Sequence, residues 1–329
     1  MYGGGSKRET RTIVDVPGIE VGHAQNEAAL TGCTVVLVKD GAVGGVDVRG
    51  SAPGTRETDL LHPVNLVNRV HAICLTGGSE FGLAAADGVM NYLEEKKIGL
   101  NTGFGIVPIV PSAALYDLSL GDSSVRPDAK MGVDAVSRAS KHQVQEGNVG
   151  AGCGASVGKL GGFDRAMKSG LGTASRILPN GLIIGALVAV NAVGEVRDPL
   201  TNEVLAGVQD DNGAIRKIEQ TLTDQEFSPI PIGTNTTIAV VASNAILTKS
   251  QVNKVAQMSH NGLARTIYPV HTMNDGDTIF SLATGEVKAS VDVVGTLCAD
   301  VLAEAVARAI RAAKGVAGFP AYCDIKKQG

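Results

Sequence analysis

The stretch around residue 236 places a hydroxyl side chain where a strand is expected to begin. Residues 231–235 form a loop interrupted by Pro and Gly, and from Thr236 onward the chain is apolar and β-branched. A Thr at the first position of a buried strand can act as a nucleophile, with the preceding chain as a removable lid. An ordinary strand start explains the same residues, because Thr is common in strands and Asn in turns.

A pair of carboxylates lies just before another expected strand. Asp275 and Asp277 are two residues apart, with Gly276 between them. In extended backbone this spacing puts both side chains on one face. Such a pair can bind a metal, orient an amine or share a proton, and the structural alternative is an Asx-type turn with Gly276 at its tip. The six His residues show neither HExxH nor HxH spacing, so no zinc site is predicted.

Residues 150–159 are rich in Gly and end at Lys159. The segment is not a phosphate loop, since GxxxxGK[ST] would need Gly at Cys153 and Ser or Thr at Leu160. Either the tight backbone holds Lys159 in a cleft, or this lysine is solvated at the surface. Two further Gly-rich stretches, residues 45–58 and 75–82, are either solvated loops or parts of a site.

Apolar runs predict the elements that must position these side chains. Strands are expected at residues 34–38, 70–75, 106–110, 182–190, 237–242 and 278–283, and helices at 80–97, 131–141, 215–222, 250–267 and 291–313. The helices cluster in mid-chain and at the end, which favours helices packed outside a mixed or antiparallel two-sheet core. The chain shows no repeat and no long polar linker, so one integrated domain is predicted.

The composition excludes several classes of protein. The chain has 329 residues, of which 44% are hydrophobic, and its net charge is −4, so nothing electrostatic attracts it to nucleic acid or an anionic membrane. Five scattered cysteines indicate a reducing compartment. Residues 1–11 have no apolar core of signal-peptide length, and no apolar run reaches the roughly 18 residues of a membrane helix. We therefore expect a flexible leader at 1–11 and a cytoplasmic protein.

Seven blocks in order along the chain resemble one family. They are residues 50–58, 75–83, 110–118, 150–159, 189–194, 235–238 and 275–278. The chain resembles the aminopeptidase/D-esterase family of self-cleaving N-terminal-nucleophile hydrolases. That family includes β-peptidyl aminopeptidases and nylon-oligomer (6-aminohexanoate-oligomer) hydrolases. The resemblance runs from about residue 16 to the C-terminal helix.

The resemblance implies that the bond between Asn235 and Thr236 is cut by the protein itself. Domain 12–329 would then consist of a large subunit, 1–235, and a small subunit, 236–329. The implied fold is α+β, a four-layer αββα sandwich. The Asn-Thr junction and the Asp-x-Asp pair are more similar to the nylon-oligomer hydrolases than to the exopeptidase branch, whose nucleophile is usually a Ser preceded by Gly.

The resemblance also implies roles for individual residues. The α-amine of Thr236 would be the base, because an α-amine titrates at roughly 7.7–8.0. Lys159 would lower the pKa of that amine, and the Asn191 amide would stabilise the oxyanion. The remaining implied site residues are Asp275 and Asp277, which would orient the amine, and Tyr116, which would donate to the oxyanion or position substrate.

The expected activity is hydrolysis of linear oligoamides, such as 6-aminohexanoate oligomers, or of short peptides through an acyl-Thr intermediate. The alternatives are an aminopeptidase for N-terminal β- or D-residues, an acyltransferase similar to ornithine acetyltransferases, and a catalytically silent protein. No cofactor and no metal are expected. The resemblance further implies a homo-oligomer, a tetramer or larger, of processed heterodimers.

Overall fold

A computed structural model describes residues 11–142, 144–223, 233–316 and 318–326. Within these ranges there are six α-helices: α1 Ala85–Glu95, α2 Ala129–Ser137, α3 Ile218–Thr223, α4 Lys249–Ala264, α5 Val291–Ala312 and α6 Tyr322–Ile325. The strands are β1 Glu20–Asn26, β2 Thr31–Val48, β3 Gly54–Arg56, β4 Arg69–Thr76, β5 Leu100–Asn101, β6 Ile106–Val107, β7 Ser112–Ala114, β8 Ser156–Val157, β9 Met167–Lys168, β10 Leu171–Ile177, β11 Ile183–Asn191, β12 Glu195–Arg197, β13 Val204–Ala206, β14 Thr236–Ala245, β15 Ile267–Tyr268 and β16 Thr278–Val287.

The 18-residue strand β2 connects two halves of one hydrogen-bonded sheet. Its first half pairs with β1 and β4, and its second half pairs with β16. The register with β4 shifts between Leu37 and Ala42, and Gly41 in this interval has a φ of +72°, which glycine adopts without steric cost. The strand order is β10-β11-β14-β16-β2-β4-β7-β3, with β1 beside β2.

The two halves of the sheet face each other across an apolar core. Val36 and Ile73 of the β2–β4 half share this core with Leu187, Val240 and Phe280 of the other half. Because side chains alternate along a strand, the neighbouring residues of the same strands point outward and meet the helices. One outer core joins β10, β11, β14 and β16 to α4 and α5, and the other joins β2 and β4 to α1 and α2.

The layers therefore run helix, sheet, sheet, helix, and the predicted four-layer αββα sandwich is confirmed. Helix α5, the most regular of the predicted helices, begins after Ser290, whose side chain accepts a hydrogen bond from the Asp292 amide. The expected strand at 106–110 is shorter than predicted: only β6 forms, because Pro108 has no N–H to continue the ladder. Sequence patterns also missed β1 and β10.

Two expectations concern the ends of the molecule and the membrane. Residues 1–10 of the expected leader lie outside the described residues. Within the described ranges, no helix combines the length and the apolar character that are needed to cross a bilayer.

Candidate active site

The site lies at one edge of the sheet, where two parallel strands begin. Strands β14 and β16 are parallel neighbours, with Ile238 opposite Thr278. The residues just before them therefore also meet, and Asn235 forms an isolated bridge with Asp275. Strand β11 is antiparallel to β14, so its last residue, Asn191, lies opposite Thr236. Sheet topology alone thus collects residues that are far apart in the sequence.

Asn235 and Thr236, on the two sides of the predicted cleavage point, are both buried. The Thr236 Oγ1 atom donates to the Asn235 carbonyl oxygen at 2.5 Å. The Gly276 N–H donates to the same oxygen at 2.9 Å. A Cβ at position 276 would lie 2.8 Å from Thr236 Oγ1, so the backbone can approach the hydroxyl this closely only with glycine. One carbonyl is therefore held between a hydroxyl and a backbone donor.

The two predicted carboxylates have different surroundings. Asp277 accepts from the Thr237 N–H through Oδ1 (2.7 Å) and from His271 through Oδ2. Asp275 accepts from the Thr272 N–H at 2.7 Å. Burial, followed by the negative charge of Asp277, raises the pKa of Asp275 to about 6. The pair can therefore carry one proton between its members in weakly acidic solution.

Lys159 is buried and not solvated: its side chain is enclosed at the junction, with a relative exposure of 1%. Its Nζ donates to Asn191 Oδ1 (2.7 Å), to the Asn191 carbonyl oxygen (3.2 Å) and to the Thr234 carbonyl oxygen (3.4 Å). Burial lowers the pKa of Lys159 to about 7, and Asp275 opposes that shift. Near neutral pH a substantial fraction of this amine is uncharged and able to accept a proton.

The Asn191 side chain is fixed at both ends. Its Oδ1 accepts from Lys159 and from the Ser156 N–H (3.1 Å), and its Nδ2 donates to the Tyr116 carbonyl oxygen at 2.8 Å. An amide carries two N–H groups, so one donor of Asn191 is engaged by Tyr116 and a second is left for another acceptor. The structure thus brings all the predicted site residues together. Among the described contacts, neither carboxylate bonds to the Thr236 nitrogen, and Asp277 accepts from the Thr237 N–H instead.

A pocket of about 470 Å³ opens beside the nucleophile candidate. Tyr116, Thr236 and parts of the two Gly-rich stretches, which could be either solvated loops or parts of a site, line this pocket. The lining residues are Ser51, Ala52, Pro53, Gly54, Ser79, Glu80, Ala114, Tyr116, Gly233 and Thr236. The loop before β3 is held in place by backbone bonds from Ala52 to Asp275 and from Arg49 and Gly50 to Asp277. The loop at 45–58 therefore shapes the site.

Sequence analysis gave no role to several polar residues that the structure places here. Glu80 is the charged residue among the described residues that line the pocket. His271 contacts Asp277 directly. Behind the site, Asp117 accepts from the Gly78 N–H and from Thr31 Oγ1, and burial raises its pKa to about 6. In the sequence, only their position next to the motifs could have pointed to them: Asp117 follows Tyr116, and His271 begins the stretch that contains Asp275 and Asp277.

Comparison with known proteins decides the family. A family model described as peptidase family S58 matches residues 11–322. The chain belongs to peptidase family S58. This S58 chain is 44% identical to an uncharacterized aminopeptidase of Mycobacterium leprae (strain TN), over 95% of the chain and 93% of that protein. It is 35% identical to a 6-aminohexanoate-oligomer endohydrolase of Kocuria sp. (strain KY2), over 85% of the chain and 76% of that protein.

Solved structures confirm the fold of this S58 peptidase. The L-aminopeptidase D-Ala-esterase/amidase of Ochrobactrum anthropi, described as a variant of the Ntn-hydrolase fold, aligns with a TM-score of 0.70 at 21% identity, over 97% of this chain and 92% of that chain. A Burkholderia sp. β-aminopeptidase aligns with a TM-score of 0.67 at 23% identity, over 98% and 92%. The predicted resemblance is confirmed, and the chain is a hydrolase of the peptidase/amidase type.

Proposed function

We propose that this protein is a self-processing amide hydrolase whose nucleophile is the hydroxyl of Thr236. The observation that carries the proposal is the geometry at the junction: Thr236 Oγ1 and the Gly276 N–H both contact the Asn235 carbonyl oxygen, and Lys159 Nζ donates to the carbonyl oxygen of the preceding residue, Thr234. A peptide carbonyl polarised by a backbone donor and flanked by a hydroxyl is arranged for attack at its carbon. The first substrate of the enzyme is then its own backbone.

Self-cleavage proceeds by transfer of the acyl group from nitrogen to oxygen. Thr236 Oγ1 attacks the Asn235 carbonyl carbon and loses its proton to a base, while the Gly276 N–H stabilises the oxyanion. The bond from that carbon to the Thr236 nitrogen breaks, the nitrogen takes up a proton, and an ester remains. Water then hydrolyses the ester, which leaves a carboxylate on Asn235 and a free α-amine on Thr236.

The base in this step cannot be the α-amine, because that nitrogen is still part of the peptide bond. Lys159 supports the proposal here: its Nζ lies 3.4 Å from the Thr234 carbonyl oxygen, and its pKa is lowered to about 7 by burial. A base is most effective when its pKa lies near the working pH. We assign proton abstraction during maturation to Lys159.

In the mature enzyme the new α-amine becomes the base for turnover. It accepts the Thr236 hydroxyl proton as Oγ1 attacks the substrate carbonyl, and it returns that proton to the leaving amine. Water then releases the acyl group from the ester. Asp277, which accepts from the neighbouring Thr237 N–H, would orient the amine, and the second amide N–H of Asn191 would donate to the substrate oxyanion.

The substrate class follows from the relatives and the pocket. We propose linear oligoamides, such as 6-aminohexanoate oligomers, or short peptides, in line with the 35% identity to the Kocuria endohydrolase. Glu80 favours a second candidate, an aminopeptidase activity, because a carboxylate in the pocket attracts the free ammonium end of a chain. Both candidates use the same acyl-Thr236 chemistry.

We further propose that the enzyme works in the cytoplasm as a homo-oligomer of processed heterodimers. All five cysteines are free thiols and four of them are buried, as expected of a protein from a reducing compartment.

The test is the fate of the bond before Thr236. Denaturing electrophoresis of purified protein should resolve fragments of 235 and 94 residues (329 minus 235). N-terminal sequencing of the smaller fragment should begin at Thr236. Thr236→Ala should remain one band, and Thr236→Ser, which keeps a hydroxyl, should still be cleaved. If the wild type stays intact after prolonged incubation, the proposal is wrong.

A further inference from the structure

His271 contacts the Asp277 carboxylate at its Oδ2 atom. Its backbone N–H donates to Asp277 Oδ2 at 3.1 Å, and its ring Nδ1 lies 2.7 Å from the same oxygen. The backbone of His271 has a φ of +57°, a left-handed conformation that is uncommon for residues other than Gly but enriched in Asn, Asp and His. In this conformation one residue brings two donors to one carboxylate oxygen.

These contacts make the two carboxylates unequal. Asp277 receives the Thr237 N–H on one oxygen and both His271 donors on the other, whereas Asp275 receives the backbone N–H and the side-chain hydroxyl of Thr272. Hydrogen bonds donated to a carboxylate favour its charged form, so the proton of a like-charged pair goes to the member with fewer donors. The raised pKa of Asp275, about 6, agrees with this division.

We propose that His271 is a positioning residue that holds the Asp277 carboxylate, through two donors to Oδ2, against the start of β14, so that Asp275 is the member of the pair that takes up a proton in weakly acidic solution. The proposal rests on the proposed function, because it assigns the Asp277 carboxylate to the nucleophile's amine. Asp277 would then orient the α-amine of Thr236.

The surroundings of His271 favour one neutral tautomer. Asp277 is an acceptor, so Nδ1 carries a proton, and within the described part of the chain the buried Nε2 has no hydrogen-bond partner. A second proton on Nε2 would be a buried donor without an acceptor, which is unfavourable. His260 packs edge-on against the ring, with centroids 4.7 Å apart, and burial lowers its pKa to about 4, so it adds no charge at neutral pH.

The other charged groups around the pair lie farther along the same chain of contacts. His260 Nε2 is 3.1 Å from the Asp47 carbonyl oxygen and 3.4 Å from its carboxylate, which forms an ion pair with Arg49 at 2.9 Å. The charge of Lys159 acts on Asp275 and lowers its pKa. Asp47 is thus paired with Arg49, and the donors that contact Asp277 itself are the Thr237 N–H and the two groups of His271.

The test separates the side chain of His271 from its backbone conformation. His271→Gly keeps the positive φ without strain and deletes the ring, and His271→Asn keeps both the conformation and an amide donor near the Nδ1 position. In His271→Gly we expect kcat for amide hydrolysis to fall by about 10- to 100-fold at nearly constant KM, because a hydrogen bond to a charged group is lost. The acidic limb of its pH–rate profile should move to higher pH. His271→Asn should remain within a few-fold of the wild type.

The control is Lys97→Gly, which removes an exposed side chain at another position of positive φ (+58°), and the thermal melting of each variant reports folding. The proposal is overturned if His271→Gly behaves like the wild type, or if His271→Asn is as impaired as His271→Gly with an unmoved acidic limb. ¹⁵N–¹H NMR of the imidazoles supplies a readout that needs no activity. We expect the Nδ1–H tautomer at His271, and an Nε2–H tautomer would overturn the proposal about His271. This readout does not depend on activity. A wild type that neither cleaves itself nor hydrolyses amides would refute the proposed function alone.

Discussion

Replacing Lys159 by Met should stop maturation without unfolding the protein. Met fills a similar volume, removes the amine and leaves the Asn191 amide and the Thr234 carbonyl in place. If Lys159 is the base that takes the proton of Thr236 during self-cleavage, its loss should slow cleavage by about 10²- to 10⁴-fold, the usual contribution of general-base catalysis. Wild-type cleavage should accelerate about tenfold between pH 6 and pH 8, because a base of pKa about 7 loses its proton over that interval.

The stability of Lys159→Met can be worked out from the same burial. A lysine whose pKa falls from 10.5 to about 7 destabilises the folded protein by about 5 kcal/mol below pH 7, relative to a solvated lysine. Between pH 7 and pH 10.5 the unfolded chain binds more protons than the folded one, so that destabilisation shrinks as pH rises. Lys159→Met is free of this destabilisation, since it buries no charge. It also lacks three hydrogen bonds to buried oxygens, each worth about 1–3 kcal/mol. The two effects largely cancel, and we expect stability within about 2 kcal/mol of the wild type.

The assay follows freshly refolded precursor by denaturing electrophoresis from pH 5.5 to 8.5, with urea unfolding to measure stability. The matched control is Lys168→Met. Lys168 is also buried and its pKa is also lowered to about 7 by burial, but its Nζ donates to the carbonyl oxygens of Gly152, Ala155 and Ser169. Folded Lys168→Met should still be cleaved. A wild-type rate that is flat with pH, or a Lys159→Met variant that is cleaved as fast as the wild type, would refute the assignment.

Three other changes test single contacts. Asp275→Asn should lower kcat yet stabilise the protein by up to about 3 kcal/mol above pH 6 but not below pH 4, because a pKa raised to about 6 means that charging Asp275 is unfavourable in the folded state. Urea unfolding at both pH values measures this gain in stability, and an equal gain at both would contradict the prediction. Glu80→Gln should raise KM about two- to fivefold for oligoamides with a free amine and leave N-acetylated ones unchanged, as expected of an exposed ion pair, and equal effects on both would exclude an ammonium site. Gly276→Ala should slow self-cleavage by about 10²-fold, because its Cβ would lie 2.6 Å from the Ala52 carbonyl oxygen and 2.8 Å from Thr236 Oγ1 and would shift one or both. Gly105→Ala, where nothing lies within 4 Å, should not slow it.

The sequence predicted the elements of the site better than their arrangement. The strands that begin at Thr236 and Thr278 follow from apolar, β-branched runs, and the four-layer sandwich follows from the resemblance of seven ordered blocks. Local patterns do not predict that β14 and β16 pair in parallel, because this pairing requires the chain to cross over through α4. Only that pairing puts Asn235 beside Asp275, so the two best chemical signals of the sequence could not be joined by spacing alone.

The burial of Lys159 could not be decided from the sequence for a related reason. A Gly-rich segment that ends in Lys is compatible with a solvated loop, and the residues that enclose this lysine come from β11 and from the chain before β14. The same holds for Glu80 and His271, whose importance depends on a pocket and on a contact with Asp277. Residues whose role depends on long-range contacts carry little local signal.

Under the proposed mechanism, two bases acting in succession would explain why one site contains both a buried lysine and two buried carboxylates. Before cleavage the α-amine of Thr236 would not exist, so Lys159, whose pKa burial lowers to about 7, would be the available base. After cleavage an amine would appear next to Asp275 and Asp277, and two charged carboxylates would hold it in its protonated, inactive form. In its protonated form Lys159 carries a positive charge that opposes this effect and that also lowers the pKa of Asp275. The lysine would then serve first as a base and afterwards, when protonated, as the charge that lowers the pKa of its successor.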